Sequence, residues 1–547
     1  MVDIPGNTPI PIGTTLLATP PSAIFPGQIG IAIASPSPIF TQVRLNWSIV
    51  DTIWGGTQAM RLAGKRFLPQ EPEELENDYI RRLSRTTLHN FYKRSIQSGV
   101  SKVFAKDPYL EDANPVITSF CADVDTQGRN LGQFAKGLLE DGVNHGVSYL
   151  LVDYARVPQD YSNLAEEQTA GNRPYWVHVQ AANVLDARSA KFATSERLSY
   201  FKFEEQVTEL SDDLTHTTIF NQIRIFKQDP AKPAVLDQNT GAELVPAQGE
   251  TPVYFAVYRQ QNTGGLAFNT GVSNAGNWVL KNWGQLSVDS IPACPIYTNK
   301  IGFFLGNPPL MDLAELNIEH WQARSDYNNI LHIVQVPILL GTGFGAELDE
   351  KGGKKKLKIA VNAGTFTASA TAKLKWIEHG GASIAAARIN IQDLEDRMSA
   401  LGLILTAQTS GDVTATAHAI SSSESNSLLK SYALNLQDTL NSALDFTAEY
   451  LGIPNTARVV VNVDYAVDYT SNTTMADVLT AFNAGVIDQL TVIAEAKRRN
   501  VLDPAAVIVP PPVNESSTPA KPAPIASTPS TPDVSNDSSV NAGTTNQ

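Results

Sequence analysis

Two runs of apolar residues, spaced three and four positions apart, mark the second half of the chain. Such spacing places side chains on one face of an α-helix, so each run predicts a helix with a single buried seam. The first seam consists of Ile384, Ala387, Ile391, Leu394, Met398 and Leu401. The second consists of Leu429, Ala433, Leu436, Leu440, Ala443 and Tyr450, and it is interrupted at Thr447. We expect both helices to pack against neighbours along these seams.

The segment between the two seams is polar and consists mainly of small residues. It runs from Thr406 to Ala417 and has almost no large side chain that a core could bury. Its polar side chains include Gln408, Thr409, Ser410, Asp412 and Thr414, and it contains no Lys or Arg. Because burial energy scales with apolar area, this segment gains little by packing. We therefore predict a loop that extends from two packed helices.

The N-terminal region has a different pattern. No charged residue occurs between Ile4 and Val43, and prolines stand at positions 5, 9, 11, 20, 21, 26, 36 and 38. Proline is excluded from helix and sheet interiors, so residues 1–40 are predicted to form an extended arm. An apolar arm that cannot fold on itself is either loosely ordered or laid on a neighbouring subunit.

Helices and then strands are predicted from residue 46 to about residue 295. Helical spacing occurs between Asn46 and Asp107, with Leu75, Tyr79 and Leu83 on one helix face, and again from Phe134 to His145. Strand-like runs follow at 149–152, 175–179, 223–226, 253–258 and 278–280. This order predicts an α+β region whose sheet is antiparallel.

A further helix is predicted from a cap at Asp312 to about Val334, where Pro337 follows. The next segment is rich in glycine and basic residues, and its lysines are Lys351, Lys354, Lys355, Lys356 and Lys358. These lysines form either a solvated loop or a docking surface for a partner or nucleic acid. Strands are predicted at 357–361 and 373–377, before Ser383 caps the first seam helix.

The C-terminal region is predicted to contain one strand, one helix and a disordered tail. The strand is Arg458–Val463 and the helix runs from about residue 474 to 499. From Pro510 onward the composition is mainly Pro, Ser, Thr, Ala and Asn. Such a segment has too few apolar residues to offset the entropy of ordering.

Composition narrows the class of protein. The 547 residues carry a formal net charge of −14, which argues against a tight nucleic-acid binder but not against a protein that DNA slides past. Cys121 and Cys294 are distant and lack metal-ligand spacing, so a reducing compartment is expected. The N-terminus lacks the basic region of a signal peptide, and no run of 18 apolar residues occurs. We expect a soluble, intracellular chain with no membrane contact.

The sequence contains no signature of a catalytic or nucleotide-binding site. Residues 64–66 lack the glycine spacing and hydroxyl residue of a Walker A motif, and no nucleophile elbow or paired-histidine zinc motif occurs. His320 and His332 lie ~120° apart around one predicted helix, so they cannot ligate the same metal. Glu315 and Glu319 share a face, which is more typical of a solvated helix than of an acid–base pair. We predict no catalytic residue, no metal site and no cofactor.

Several strings, in this order, resemble the portal (head-to-tail connector) proteins of tailed bacteriophages. Trp47–Asp107, with Met60–Gly64 and Phe67–Pro69 inside it, is similar to the portal N-terminal helical region. Gly146–Tyr154 and Arg173–Tyr175 resemble the wing domain. The most specific string, Pro308–His320, resembles the beginning of the stem helix in one portal subfamily. The resemblance covers residues 40–452.

The resemblance implies a portal-like α+β fold with disordered termini, assembled as a dodecameric ring at one capsid vertex. Its parts would be an arm (1–40), a wing (41–306), a first stem helix (307–336), a clip (337–380), a second stem helix (381–402), a tunnel loop (403–423), a long wing helix (424–452), a crown (453–502) and a disordered tail (503–547). Stem packing would involve Ile384, Ile391, Leu394, Met398 and Leu401, and DNA would meet Gln408, Thr409, Ser410, Asp412 and Thr414. Docking would use Lys351, Lys354, Lys355, Lys356 and Lys358.

The resemblance also implies a function and partners. The ring would conduct double-stranded DNA, without sequence specificity, during packaging and ejection. ATP hydrolysis would belong to the large terminase subunit, because this chain has no nucleotide site. Further partners would be other copies of the chain, the major capsid protein, a head–tail adaptor and a scaffolding protein. The protein would reside in the virion and, during assembly, in the host cytoplasm.

Two other classes of function stay open at the level of sequence. A tail or baseplate component is favoured by the β-rich middle of the chain, but it leaves the seam–loop–seam segment without a role. An enzyme with an unrecognised site is disfavoured by the missing motifs.

Overall fold

The computed structural model describes residues 24–154, 172–210, 215, 217–232, 234–236, 243–245, 247–260, 278–334, 338–342, 371, 373–377, 382–406, 415–463, 465, 475–486, 489–498 and 502. Over these residues the protein is α+β, which confirms the predicted fold class. Of the terminal segments predicted at 1–40 and 503–547, residues 1–23 and 503–547 lie outside the described residues.

The described residues include eleven α-helices. In chain order they are α1 (Pro38–Trp54), α2 (Gly56–Ala63), α3 (Glu76–Arg85), α4 (Phe91–Val103), α5 (Pro115–Ala122), α6 (Leu131–His145), α7 (Met311–Val334), α8 (Ala382–Thr406), α9 (Ala415–Leu451), α10 (Met475–Asn483) and α11 (Gln489–Arg498). Helix α7 begins at Met311, so Asp312 lies in its first turn rather than at the predicted cap. A carboxylate there still interacts favourably with the helix dipole.

The strands form one large sheet and several small ones. They are β1 (Gln28–Ile29), β2 (Tyr109–Glu111), β3 (Val147–Tyr154), β4 (Pro174–Val179), β5 (Val184–Phe192), β6 (Ser195–Leu210), β7 (Thr217–Lys227), β8 (Val235–Leu236), β9 (Glu243–Val245), β10 (Tyr254–Gln260), β11 (Trp278–Gln285), β12 (Ala293–Tyr297), β13 (Lys300–Gly302), β14 (Leu305–Gly306), β15 (Ile338–Thr342), β16 (Lys373–Ile377) and β17 (Arg458–Val460). Every pairing among them is antiparallel within the described residues, as predicted for the main sheet.

The large sheet separates two apolar cores. Its strand order is β1-β11-β10-β7-β6-β5. Side chains alternate between sheet faces, so neighbouring residues of one strand enter different cores. Phe203 and Phe226 lie in the main core, whereas Ile223 and Ile225 lie in a smaller core on the opposite face. Both faces of the sheet are therefore covered.

The described part of the N-terminal arm covers the smaller core. Strand β1 pairs with β11 at the sheet edge, and Phe25 and Ile33 are buried against the sheet. For residues 24–34 the structure thus corrects the expectation of a loose arm or one laid on a neighbouring subunit. A sheet face of the same chain is available without the entropy loss of association. Helix α1 begins at Pro38, inside the predicted arm, because proline is well suited to a first helical turn.

Helix α3 differs from its predicted apolar face. The helix begins at Glu76, so Leu75 is an exposed residue at its N-cap rather than a core residue. Tyr79 is buried as predicted, and Arg82 is buried beside it. Two guanidinium N–H groups of Arg82 donate to the Glu74 carboxylate, at 2.7 and 2.8 Å. Pairing with this carboxylate allows a charged side chain to enter the core.

A three-stranded sheet, β12-β3-β4, lies at the centre of the main core. All eight residues of β3 are buried, as the apolar run at 149–152 predicts. Gly146 ends α6 immediately before this strand, with a φ of 85° that favours glycine. A Cβ at this position would lie 2.1 Å from the Asn307 carbonyl oxygen. The close approach of the two backbones requires glycine here.

One buried ion cluster joins the two sheets. Arg224 on β7 donates to Asp153 on β3 and, at 3.2 Å, to Glu205 on β6. The hydroxyl of Tyr175 on β4 donates to the same Asp153 at 3.0 Å. Arg224, Asp153 and Glu205 are all almost fully buried. The single arginine therefore compensates two carboxylates that water does not reach.

The C-terminal elements are shorter than predicted. Strand β17 covers only the first half of the predicted 458–463 and pairs with β2. In place of one helix at 474–499, the structure has α10 and α11, separated at Gly485, where φ is 72°. The described residues up to Asp477 form one compact unit, and those from Val478 onward form a second. No helix in the described ranges has the length and apolarity needed to cross a membrane.

Candidate functional site

Helices α7 and α8 form an antiparallel pair. We use the name α7–α8 hairpin for these two helices and the strands β15 and β16. The strands pair from Ile338 opposite Ile377 to Thr342 opposite Lys373. His320 Nε2 and Glu395 Oε1 are 3.2 Å apart. His320 lies fourteen residues before the end of α7, and Glu395 thirteen residues after the start of α8. The two helices therefore run side by side in matched register for ~20 Å from their junction with the strands.

The strand pair of the hairpin differs in part from its prediction. Residues 373–377 form β16 as predicted, and their described partner is β15 at 338–342, where no strand was predicted. The apolar residues that follow Pro337 belong to β15. The sequence pattern had predicted only a glycine-rich, basic segment there. The segment 357–361 and the lysines Lys351, Lys354, Lys355, Lys356 and Lys358 lie outside the described residues.

Polar side chains attach α7 to the N-terminal helices. The Asn317 amide donates to the His89 carbonyl oxygen at 2.9 Å and accepts from the Tyr92 backbone N–H at 3.1 Å. Further along α7, the Ser325 hydroxyl accepts from the Thr86 hydroxyl at 2.9 Å. Asn317 and Ser325 are buried. These contacts give α7 a defined position on the domain.

Helix α8 buries one seam and exposes the opposite face. Its three most buried seam residues are Ile391, Leu394 and Met398, whereas Ile384 and Leu401 are half-buried. On the other face Ile389 is 57% exposed. The helix packs against α4, α7 and α9. An apolar side chain thus remains available on α8 after its contacts within the chain are made.

The ends of α8 and α9 correct two predictions. Helix α8 begins at Ala382, so Ser383 lies in its first turn and is not its cap. The described residues shorten the segment that was predicted to be non-helical at 403–423, because α8 extends to Thr406 and α9 begins at Ala415. Leucine and alanine, which are strong helix formers, extend both helices into the predicted loop. The predicted contact residues Gln408, Thr409, Ser410, Asp412 and Thr414 lie in 407–414, outside the described residues.

Helix α9 lies across the three-stranded sheet. Its buried residues include the predicted Leu429, Ala433, Leu436, Leu440, Ala443 and Tyr450. Thr447 does not interrupt the seam, contrary to the prediction, and is itself fully buried. Its hydroxyl accepts from Trp176 Nε1 at 2.9 Å and donates to the Ala443 carbonyl oxygen at 2.7 Å. Because both hydrogen-bonding capacities are used, the polar group is tolerated in the core.

Helices α7, α8 and α9 carry more acidic than basic side chains. Helices α7, α8 and α9 together contain eleven carboxylate side chains and four Lys or Arg residues, which gives a formal charge of −7. The segment 407–414 adds Asp412 and no cation. Because phosphate affinity comes mainly from Lys and Arg, this composition differs from that of a tight nucleic-acid-binding surface.

His320 has neighbours that the sequence does not reveal. It is fully buried, whereas His332 on the same helix is exposed. Besides Glu395, it contacts His89, whose ring centroid is 5.5 Å from its own. Burial lowers the pKa of His320 below its ordinary value, although Glu395 opposes this. His89 belongs to a connection more than 200 residues away in sequence, so no local motif could have identified the cluster.

A serine–histidine–aspartate cluster in the main core differs from a hydrolase triad. The Ser148 hydroxyl donates to Asp141 at 2.6 Å, and His178 Nε2 lies 2.9 Å from that hydroxyl and 3.2 Å from the same carboxylate. A triad uses the two ring nitrogens for separate partners and needs an accessible hydroxyl. Here one nitrogen faces both partners and Ser148 is fully buried. The cluster is suited to holding α6 against the sheet.

His145 strengthens this structural role. Its Nδ1 is 2.8 Å from Asp141, and its Nε2 is 2.8 Å from Asp51. Burial by itself would lower the pKa of His145, but the carboxylates of Asp141 and Asp51 raise it to about 10. Burial would likewise raise the pKa of Asp141, but His145 and His178 hold it well below its usual range. The cluster therefore contains a charged pair at neutral pH.

Comparison with known proteins gives one family match and several partial structural likenesses. Residues 309–451 match the family described as "Domain of unknown function (DUF4055)". The search of curated proteins found no match. Three solved structures belong to gene transfer agent (GTA) particles: the neck of a native particle computed with C12 symmetry, the virion of a native particle, and the neck of an empty particle computed with C6 symmetry.

The overlap with these structures is extensive in length and low in identity. For the C12 neck the identity is 10% and the TM-score 0.35, over 74% of this chain and 88% of that one. For the virion the values are 12% and 0.35, over 75% and 89%. For the C6 neck they are 11% and 0.33, over 72% and 90%. The family match, at 309–451, spans the α7–α8 hairpin and α9.

Proposed function

We propose that this chain is a ring-forming portal protein at a capsid vertex, which conducts viral DNA during packaging and ejection and has no catalytic activity. The observation that carries the proposal is the arrangement between residues 311 and 451. The antiparallel helices α7 and α8 are joined at one end to the paired strands β15 and β16. Helix α9, which has 37 residues, follows residues 407–414 and lies across the three-stranded sheet. In the proposed ring, residues 407–414 connect α8 and α9.

The surface of α8 supports assembly into a ring. The seam residues of α8 pack against other helices of the same chain. Ile389, on the opposite face, remains exposed, as do Ala385 and Ala386 one turn away. A surface of this kind can pack against a different surface of the next copy. Such head-to-tail contacts close into a ring when the rotation between copies permits it. In the proposed ring, α8 contacts the adjacent subunit through this face.

The charge of the site supports a conduit and not a tight DNA-binding surface. Each phosphate neutralised by Lys or Arg adds salt-dependent affinity, which would slow translocation. Acidic helices and a segment with no cation avoid this effect. In the proposed ring Gln408, Thr409, Ser410 and Thr414 make steric and polar contacts with DNA, and Asp412 repels phosphate.

The remaining roles follow from the same proposal. The lysine segment Lys351, Lys354, Lys355, Lys356 and Lys358 is the proposed docking surface for the large terminase subunit or a head–tail adaptor. Further partners are the major capsid protein and a scaffolding protein. The protein acts in the virion after assembly in the host cytoplasm. The number of subunits is proposed to be twelve.

Imaging of the purified protein tests this proposal. We expect negative-stain images to show rings with a central hole, and Ile389→Asp to remain folded by circular dichroism while ring formation falls. Elongated assemblies without a hole would instead support a tail or baseplate component. Monodisperse monomers would contradict a ring-forming protein. Normal rings from Ile389→Asp would remove α8 from the subunit interface.

Added positive charge tests contact between 407–414 and DNA. We expect Thr409→Lys combined with Thr414→Lys to slow packaging and to make its rate depend strongly on salt, because counterion release strengthens phosphate binding. The measurement is DNA packaging by the variant ring with its terminase. The matched control, Thr409→Gln with Thr414→Gln, adds bulk without charge and should depend on salt as the wild type does. Packaging by the double-lysine ring at the wild-type rate would show that these residues do not meet DNA.

A further inference from the structure

His89, His320 and Glu395 come together from three separate elements. His320 lies on α7, Glu395 on α8, and His89 immediately before the N-cap of α4. Glu395 Oε1 is 3.2 Å from His320 Nε2 and 4.0 Å from His89 Nδ1. One potential ligand atom from each residue lies within 4.8 Å of the other two.

The chemistry of this group suits a metal ion. Imidazole favours zinc and its neighbours in the first transition row, and two histidines with one carboxylate form a facial set that leaves further positions for water. We propose that His89, His320 and Glu395 bind a divalent first-row transition-metal ion, with Zn²⁺ as the probe ion. This site goes beyond the proposed conduit function and does not depend on it.

Two of the ligands are already held in place. The Asn317 amide donates to the His89 carbonyl oxygen and so fixes the backbone of His89. Asn317 lies one turn before His320 on α7. The His320 ring packs edge-on against Phe91, with 6.2 Å between ring centroids. Supporting contacts of this type keep ligands near binding geometry before the ion arrives.

His89 must move closer to the other two ligands, because the three ligand atoms are separated by up to 4.8 Å. Metal–ligand bonds of ~2.1 Å in a tetrahedral site place ligand atoms about 3.4 Å apart. The His320–Glu395 separation of 3.2 Å is close to this value, and the His89–Glu395 separation of 4.0 Å is slightly longer. His89 can approach by side-chain rotation because its side chain is 45% exposed.

Solvent reaches the site, and charged side chains beside it affect the binding of a cation. The exposed sides of His89 and Glu395 provide an entry path for the ion from solvent. Arg324, which acts electrostatically on His320, opposes the cation and limits its affinity. Glu395 supplies the compensating negative charge.

Zn²⁺ titration of the full-length chain, followed by calorimetry and thermal unfolding, tests the site. We expect about one Zn²⁺ per subunit and an increase in Tm, because an ion bound only by the folded state stabilises it. His89→Ala and Glu395→Gln should each weaken Zn²⁺ binding by more than the roughly 10–100-fold lost with an outer-shell partner. Both residues are partly exposed, so these variants should still fold.

Matched controls separate this site from general surface binding. His332→Ala and Glu319→Gln change an exposed histidine and an exposed carboxylate on α7, and should bind Zn²⁺ as the wild type does. With Co²⁺ as a spectroscopic probe, the wild type should show visible d–d absorption that His89→Ala loses. The proposal is wrong if the wild type shows no saturable binding, if both ligand variants retain it, or if the control variants lose it equally.

Discussion

Arg224→Met is expected to destabilise the protein by roughly 3–5 kcal/mol, because it leaves two buried carboxylates without a counter-ion. Methionine preserves most of the side-chain volume but removes the charge that compensates Asp153 and Glu205. Both carboxylates lie at the junction of the two sheets, where water cannot replace the lost guanidinium. The measurement is the free energy of unfolding from denaturant titration at neutral pH.

The pH dependence of the variant provides an independent check. A buried carboxylate without a counter-ion has a folded-state pKa above its unfolded value, so folding takes up protons. The stability deficit of Arg224→Met relative to wild type should therefore shrink as the pH is lowered toward the folded-state pKa values. Arg81→Met is the control, because Arg81 and its partner Asp78 are both more than half exposed. Its effect should stay below about 1 kcal/mol, and a similar loss in both variants would contradict the argument from burial.

Leu394→Asp should destabilise the protein by roughly 3–5 kcal/mol and abolish the proposed ring assembly, because it places an unpaired charge in the α8 seam. Leu394 is 1% exposed in a helix that packs against α4, α7 and α9. Loss of this seam would separate the α7–α8 hairpin from the rest of the domain. Thermal unfolding measures the stability, and negative-stain imaging measures the assembly.

Asn390→Asp provides the matched control for this prediction. It adds the same charge to the same helix at an exposed position and changes the side-chain volume little. Its unfolding temperature should equal that of the wild type, since exposed charges contribute little to stability. Wild-type rings with unchanged thermal stability from Leu394→Asp would show that the seam has been assigned to the wrong face.

Periodicity was sufficient for the elements whose burial is decided locally. The seams of α8 and α9 follow from spacings of three and four residues, which determine the helix face of each side chain. The buried strand β3 follows from a continuous apolar run. Element ends were less predictable. Helix α8 extends to Thr406 because its apolar run continues beyond the predicted boundary, and Leu75 is exposed because α3 begins after it.

The burial of polar residues is also difficult to predict from sequence. Thr447 was expected to interrupt a seam, but Trp176, which is 271 residues away, satisfies its hydroxyl. Whether a polar side chain is tolerated depends on partners that are distant in sequence.

The sequence by itself determined the α+β class, the buried faces of α8 and α9, and the polar composition of the segment between the two seams. These properties depend on residues within a few turns of one another. The tertiary structure alone decided that the arm at 24–34 covers a sheet of its own chain and that β15 is the described partner of β16. It also brought together His89, His320 and Glu395, and placed Arg224 between two sheets. Each of these contacts joins segments separated by long stretches of chain, and no local pattern records which distant segment a side chain will meet.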